Sequence, residues 1–213
     1  MANPFPCCAP PSERIPFLES SLLNARLTES CIVTSLYEKN GPVHAARFSF
    51  PASLIEAAVI MPLVPNGEGW DLLFIRRTQS VAHHPGQIGF PGGRAEPEDP
   101  SPLHTALREM AEELGIHLDP SAILGFIPPT PTQVTGFLIH PFAARLDPPY
   151  VLTPDPAEVA ETLLIPLQFF LEAVNLSPCA DQFDYHGNRV WGATARVMTQ
   201  FCVALLTRMG CAS

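Results

Sequence analysis

The sequence has few charged residues and no long apolar run, and each shortage excludes a class of protein. Charged residues make up 15% of the 213 residues and hydrophobic residues 46%, which is enough to build a core and excludes a disordered chain. No apolar run approaches the roughly 20 residues of a membrane span. The N-terminus also lacks the basic and apolar segments of a signal peptide, so we expect a cytoplasmic protein without membrane contact.

Cysteines are present but form no C-x-x-C pair, and their spacing indicates neither a zinc site nor a disulfide scaffold. We expect ordinary reduced thiols. The six positions are Cys7, Cys8, Cys31, Cys179, Cys202 and Cys211.

Positive charge is scarce: 12 Lys and Arg residues against 21 Asp and Glu residues give a formal charge of −9. An acidic protein repels phosphate backbones, so we expect no nucleic-acid partner. A small phosphorylated substrate is still compatible with this charge, because a divalent cation inverts the local field. The sequence leaves the oligomeric state open, and a homodimer is compatible with it.

Apolar periodicity predicts a mixed α/β layered domain over residues 50–209, preceded by an N-terminal arm with a short helix over residues 1–49. A Gly-, Pro- and His-rich loop leads from the second strand to Gly92 and Gly93. We predict strands over 57–64, 70–77, 122–127, 137–146 and 162–165, and a final helix over about 192–208.

The clearest helix is predicted over residues 101–115. Ser101 stands at the N-cap position, Pro102 at the first helical position, and Gly115 at the C-terminal stop. The apolar side chains that form one face recur at spacings of 4, 3 and 4, and they are Leu103, Leu107, Met110 and Leu114.

Three carboxylates, Glu109, Glu112 and Glu113, lie beside that apolar face at positions i, i+3 and i+4. They repel one another, and the helix dipole also opposes them in the C-terminal half. Hard oxygen ligands converging on Mg²⁺ or Mn²⁺ would remove the conflict. A solvated acidic face is the alternative, and the helix alone favours it. Gly92 and Gly93 shift the balance towards a site, because they let the backbone approach a metal or a phosphate.

Residues 93–116 resemble the Nudix box, in which glycine, five residues, glutamate and seven residues precede Arg-Glu-aliphatic-x-Glu-Glu-x-Gly-aliphatic. Residues 108–116 fit every specified position. The front half departs, since Asp99 replaces the usual glutamate and eight residues separate it from Arg108. The salt-bridge partner of Arg108 is therefore open between Asp99 and Glu98.

Residues 72–93 are similar to the block that precedes the Nudix box in coenzyme A diphosphatases, which also share the one-residue insertion. Residues 128–136 and 189–195 extend the similarity over about residues 50–205. One position departs: Ala82 stands where that group usually has arginine.

The resemblance implies a Nudix fold, with a mixed β-sheet between helices, and hydrolysis of a diphosphate bond with Mg²⁺ or Mn²⁺. The implied substrate is coenzyme A or a derivative, split into 3′,5′-ADP and 4′-phosphopantetheine. The implied catalytic set is Arg108, Glu109, Glu112 and Glu113. Glu109 and Glu113 are the principal metal ligands, and Glu112 is a third ligand or orients water.

The implied substrate-binding residues are Arg77, His84, Gly92 and Gly93, and the candidates for a general base are Glu158 and Glu161. Each has a plainer interpretation: Arg77 as a surface cation, His84 as a turn residue, and the two glutamates as a solvated helix start. For the 3′-phosphate of coenzyme A, the candidate cations are Arg76, Arg77, His83 and His84.

Three alternatives remain. The substrate could be ADP-ribose or a dinucleotide such as NADH, because Ala82 removes a plausible phosphate-binding charge. The chain could be a non-catalytic binding module of the same fold, although such modules tend to lose the acidic residues and this chain keeps all three. It could also be a structural protein with an acidic helix.

Overall fold

The computed structural model describes residues 27–36, 50–80, 84–132 and 135–211, except for the side chain of Cys211. The helices are α1 (Glu29–Ser35), α2 (Pro102–Leu114), α3 (Leu167–Leu176) and α4 (Gly192–Cys211). The strands are β1 (Ile55–Pro65), β2 (Trp70–Arg77), β3 (Ile88–Gly89), β4 (Gly92–Arg94), β5 (Ile123–Phe126), β6 (Thr130–Pro131), β7 (Phe137–Arg145), β8 (Val159–Pro166), β9 (Gln182–Tyr185) and β10 (Asn188–Trp191).

A mixed sheet lies at the centre of the molecule. Strands β1 and β7 run parallel, from the pair Ile55 and Phe137 to the pair Leu63 and Arg145. The other pairings in this sheet are antiparallel, with β5 and β6 beside β7 and with β8 beside β2. Because β1 is apolar on both faces, it needs cover on both. The predicted α/β sandwich is therefore confirmed.

Strands β1 and β2 pair only near their connecting turn, at positions 63–65 and 70–72. Beyond that point residues 88–94 lie between them, with β3 paired to β2 and β4 paired to β1. A Cβ atom on Gly92 would lie 2.3 Å from the carbonyl oxygen of Ala58, and its φ is +150°. Only glycine fits there, so the sequence fixes the close approach of β4 to β1.

The two faces of the sheet carry different helices. On one face, Met110 and Leu114 of α2 are fully buried against Ile60 and Ile75. On the other face, α1, α3 and α4 share a larger core with Phe74 of β2. Consecutive residues of a strand point to opposite faces, so the side chains of Arg76 and Arg77 leave β2 on different sides.

The long predicted elements are present, with bounds shifted by a few residues. Helix α1 lies within the predicted N-terminal arm, most of which falls outside the described residues. Ser101 is the N-cap of α2, but its side chain does not bond the helix backbone and instead pairs with His104 Nδ1 at 2.8 Å. Gly115 is the left-handed C-cap.

Helix α3 and the β9–β10 hairpin were not predicted. Helix α3 begins directly after Pro166, so its apolar residues continue the apolar run of β8 without a turn signal. Trp191 is 46% exposed at the end of β10. Within the part of the chain that the structure describes, no helix is both long and apolar enough to cross a membrane.

Candidate active site

Glu113 joins the acidic helix to the glycine turn. Its side chain is 1% exposed, and its Oε2 accepts a hydrogen bond from the backbone N–H of Gly92 at 2.8 Å. Its Oε1 accepts a second bond from Nη1 of Arg77 at 2.9 Å. The sequence pattern had placed Glu113 beside the apolar face of α2, whereas the structure buries it between that face and β4.

Burial is the main influence on the two inner carboxylates. It raises the pKa of Glu113 to about 8, although the Gly92 N–H and Arg77 both act to lower it. Burial also raises the pKa of Glu109, against the opposing effect of Arg108. Both carboxylates have therefore lost hydration, and a divalent cation would stabilise their ionised forms.

Gly93 leaves the space that Glu109 uses. A Cβ atom on Gly93 would come within 2.4 Å of Glu109 Oε1, so a side chain there would displace the carboxylate. Because Gly93 has no side chain, the carboxylate oxygens of Glu109 can lie against the backbone of the glycine turn. Carboxylate oxygens in this position suit Mg²⁺ or Mn²⁺, which prefer hard oxygen ligands.

Arg108 orients this end of the helix, and its partner is Asp99. The guanidinium contacts both carboxylate oxygens of Asp99, at 3.2 Å from Nε and 3.0 Å from Nη2. This pair holds the pKa of Asp99 down at about 2. Arg108 also donates to the carbonyl of Arg94 at 3.1 Å. The structure thus selects Asp99 rather than Glu98.

The three helix carboxylates do not all face one point. Nη1 of Arg108 donates to Glu109 at 3.0 Å and to Glu112 at 2.7 Å, and Glu112 is exposed. Among the described residues, no group of three or more His, Cys, Asp or Glu side chains is arranged to hold a metal ion. Mg²⁺ is commonly held by one or two carboxylates, with water and substrate phosphate filling the other positions, so Glu109 and Glu113 fit that requirement.

The two candidate bases lie on opposite faces of the sheet. Glu158 Oε2 accepts a hydrogen bond from Nη2 of Arg77 at 3.1 Å, so it lies beside Glu113. Glu161 instead pairs with Arg76 at 2.5 Å, and Arg76 also donates to Asn188 of β10 on the face opposite α2. A register shift in β8 opposite Arg76 and Arg77 separates the two glutamates. Only Glu158 is brought to the acidic helix.

The remaining predicted residues border the loop before β3. His84 has a φ of +56°, and its Nδ1 bonds Gln87 Oε1 at 3.0 Å, which agrees with the plainer interpretation of a turn residue. Ala82 and His83 lie outside the described residues. Arg94, which was not among the predicted site residues, has an exposed side chain at the glycine turn. Its place directly after Gly93 was the available signal.

A comparison with known families assigns this arrangement. The model of the NUDIX domain matches residues 54–178, which include the glycine turn, α2 and Glu158. The chain belongs to the Nudix family. It is accordingly a Nudix hydrolase, an enzyme that acts on pyrophosphate bonds.

Two curated relatives are similar to this Nudix hydrolase over more than two thirds of its length. The Nudix hydrolase NudL of Photorhabdus laumondii is 34% identical over 154 residues, covering 68% of this chain and 81% of NudL. The human mitochondrial coenzyme A diphosphatase NUDT8 is 36% identical over 170 residues, covering 73% and 70% of the two chains. A solved structure, the MutT protein from Methanosarcina mazei Go1, is 21% identical with a TM-score of 0.45, over 58% of this chain and 84% of that one.

Proposed function

We propose that this Nudix hydrolase splits the diphosphate of coenzyme A or its derivatives into 3′,5′-ADP and 4′-phosphopantetheine. The observation that carries the proposal is the block at residues 72–93, which resembles the coenzyme A diphosphatases and forms β2, β3 and β4 around the site. The 36% identity to a human coenzyme A diphosphatase supports it. We assign the activity to a domain over residues 50–209.

Glu109 and Glu113 hold Mg²⁺ or Mn²⁺ in this proposal, and Nudix hydrolases generally need divalent metal ions. A bound ion would supply positive charge to the diphosphate oxygens, which would favour attack by water on phosphorus. Glu112, which is exposed and bonded to Arg108, orients water or contributes at the edge of the site. Arg108 fixes the rotamers of Glu109 and Glu112 through its pairing with Asp99.

Glu158 is the general base in this proposal, and Glu161 is not. Glu158 is 46% exposed, so its carboxylate is reached by water while Arg77 holds it beside Glu113. Arg77 thereby positions two carboxylates and places its charge next to the diphosphate. We also assign the backbone of Gly92 and Gly93 and the side chain of His84 to substrate binding.

The proposal is tested by product analysis on a panel of coenzyme A, dephospho-coenzyme A, ADP-ribose and NADH, each with Mg²⁺ and with Mn²⁺. We expect the highest kcat/KM on coenzyme A, with equal amounts of 3′,5′-ADP and 4′-phosphopantetheine. Faster turnover of ADP-ribose or NADH would assign the site to the alternative that Ala82 suggests. The Glu113→Gln protein, purified in parallel, controls for contaminating hydrolases.

A further inference from the structure

The arginines near the site are mostly occupied by carboxylates. Arg76 pairs with Glu161, and Arg77 pairs with Glu113 and Glu158. Both had been candidates for reading a phosphate of the substrate away from the diphosphate. Four of the arginines in the described part of the chain have no carboxylate within salt-bridge distance: Arg94, Arg189, Arg196 and Arg208.

Arg196 differs from the other three because it is half-buried while they are exposed. Its Nη2 donates to the carbonyl oxygen of Pro131 at 3.2 Å. Its Nε is buried and has no hydrogen-bond partner. Burial lowers the pKa of this guanidinium, which means that its charge is poorly compensated. A desolvated cation with an unused donor is costly to the fold, and an anionic ligand would offset that cost.

Helix α4 begins beside β3 and places Arg196 at β6. Thr194 lies against Gly89 of β3, with its Oγ1 3.5 Å from the position of a Cβ there. Gln200, one turn after Arg196, pairs with Thr130 of β6 at 3.3 Å. The first half of α4 therefore runs from β3 to β6, on the face of the sheet opposite α2.

The sheet pairing gives the distance between the glycine turn and β6, the strand that Arg196 contacts. One row of paired residues runs across β4, β1, β7 and β6 and comprises Arg94, Ala57, Ile139 and Thr130. Three strand spacings, about 14 Å, separate the backbone of Arg94 from the backbone of Thr130. A ligand of nucleotide size is long enough to span this distance. Arg196 also lies beyond residue 178, where the match to the family model ends, so family membership gives it no role.

We propose that Arg196 binds a phosphate monoester of the substrate, separate from the diphosphate that is cleaved. The planar guanidinium fork matches a phosphate in geometry and charge. In coenzyme A the group would be the 3′-phosphate, so this inference rests on the proposed function. An acidic protein needs a local cation to admit that dianion, and Arg196 supplies one that no carboxylate neutralises.

The kinetic test compares coenzyme A with dephospho-coenzyme A, which lacks the 3′-phosphate. Arg196→Gln should lower kcat/KM for coenzyme A by about tenfold or more and change the dephospho substrate by less than about threefold. Arg196→Lys keeps the charge but loses the planar guanidinium fork, so its kcat/KM for coenzyme A should lie between the values of the wild type and of Arg196→Gln. Arg208→Gln, on the exposed end of the same helix, should match wild type on both substrates.

A binding test separates this inference from the proposed function. Calorimetry in EDTA would compare adenosine 3′,5′-bisphosphate with AMP, and Arg196→Gln should weaken only the bisphosphate, by about tenfold. Equal kinetic losses on both substrates, or unchanged bisphosphate binding in a variant with wild-type Tm, would overturn the assignment. Failure of the wild type to hydrolyse coenzyme A, with selective bisphosphate binding retained, would reject the proposed substrate alone.

Discussion

Arg77 donates a 2.9 Å hydrogen bond to the buried carboxylate of Glu113, and through this bond strand β2 is tied to helix α2. The same guanidinium holds Glu158 at 3.1 Å. Arg77 of β2 thus contacts both Glu113 of the Nudix box and Glu158. Glu158 lies directly before β8, 45 positions after Glu113 in the chain. The site depends on this link.

Glu109→Gln and Glu113→Gln should each lower kcat by about two or more orders of magnitude with the fold intact. Each substitution removes a ligand charge without changing volume, and Tm should stay equal or rise because like-charge repulsion falls. Steady-state kinetics and thermal melts measure both effects. Glu172→Gln, on α3, is the matched helical control and should retain wild-type rates. Near-normal rates in both site variants would support the solvated acidic face.

Metal removal should abolish hydrolysis, and the affinity for the metal should depend on pH. EDTA should stop turnover, and Mg²⁺ or Mn²⁺ should restore it, because the site offers oxygen ligands. The pKa of Glu113 is about 8, so a proton competes with the metal below that pH. The metal Kd should fall by about tenfold per pH unit between pH 6 and 8 and level off above.

The same raised pKa fixes the sign of the stability change in metal-free protein. Folded Glu113 holds its proton more tightly than the unfolded chain does, so its contribution is full below the ordinary glutamate pKa and is lost as pH rises through about 8. Tm in EDTA should therefore fall over this window, and Glu113→Gln should reduce the fall. A metal Kd that does not change with pH would contradict the expected competition between proton and metal. A Tm that rises with pH in EDTA would contradict the expected loss of stability.

Glu158→Gln should reduce kcat by about tenfold to a hundredfold, because it removes the proposed base next to Glu113. Glu161→Gln is a close control, since it changes the same residue type on the same segment but pairs with Arg76 on the face opposite α2. It should leave kcat within about twofold of wild type. Rate measurements over pH would compare the two, and equal losses would show that the face of the sheet does not decide the role.

Asp99→Asn should weaken the bidentate pair with Arg108 and lower the free energy of unfolding by about 1–3 kcal/mol. Activity should fall as well, because Arg108 orients Glu109. Glu98→Gln, one position earlier and exposed, should change neither property. Urea unfolding and kcat/KM measure the two effects. A larger loss in the Glu98 variant would reassign the partner of Arg108.

Local sequence signals predicted the parts of the site that local structure forms. The cap positions and apolar spacing of α2 lie within 15 residues, so its bounds and the grouping of Glu109 with Glu113 followed from the sequence. The glycine turn was predicted on the same basis. Its cause, the fit of Gly92 against Ala58, needed the paired strand.

The rest depends on contacts between distant segments. The choice between Asp99 and Glu98 turns on the path of a loop with an inserted residue. The separation of Glu158 from Glu161 depends on a register shift in β8 that no turn residue marks. Arg196 has no local signal, since it differs from the other arginines without a carboxylate partner in its half-burial and its unpartnered Nε, which arise only after the chain has folded.

The parallel pairing of β1 with β7 has a consequence for the order in which the protein is made. Ile55 pairs with Phe137, about 80 positions later, so the ribosome delivers the whole acidic helix before β1 gains this neighbour. Helix α4 is the last of the described elements to be synthesised. Non-local pairing of this kind forms slowly. The nascent chain therefore carries the carboxylates of α2 before β1 has gained its parallel neighbour, and the sheet beneath the acidic helix is completed only after β7 has been synthesised.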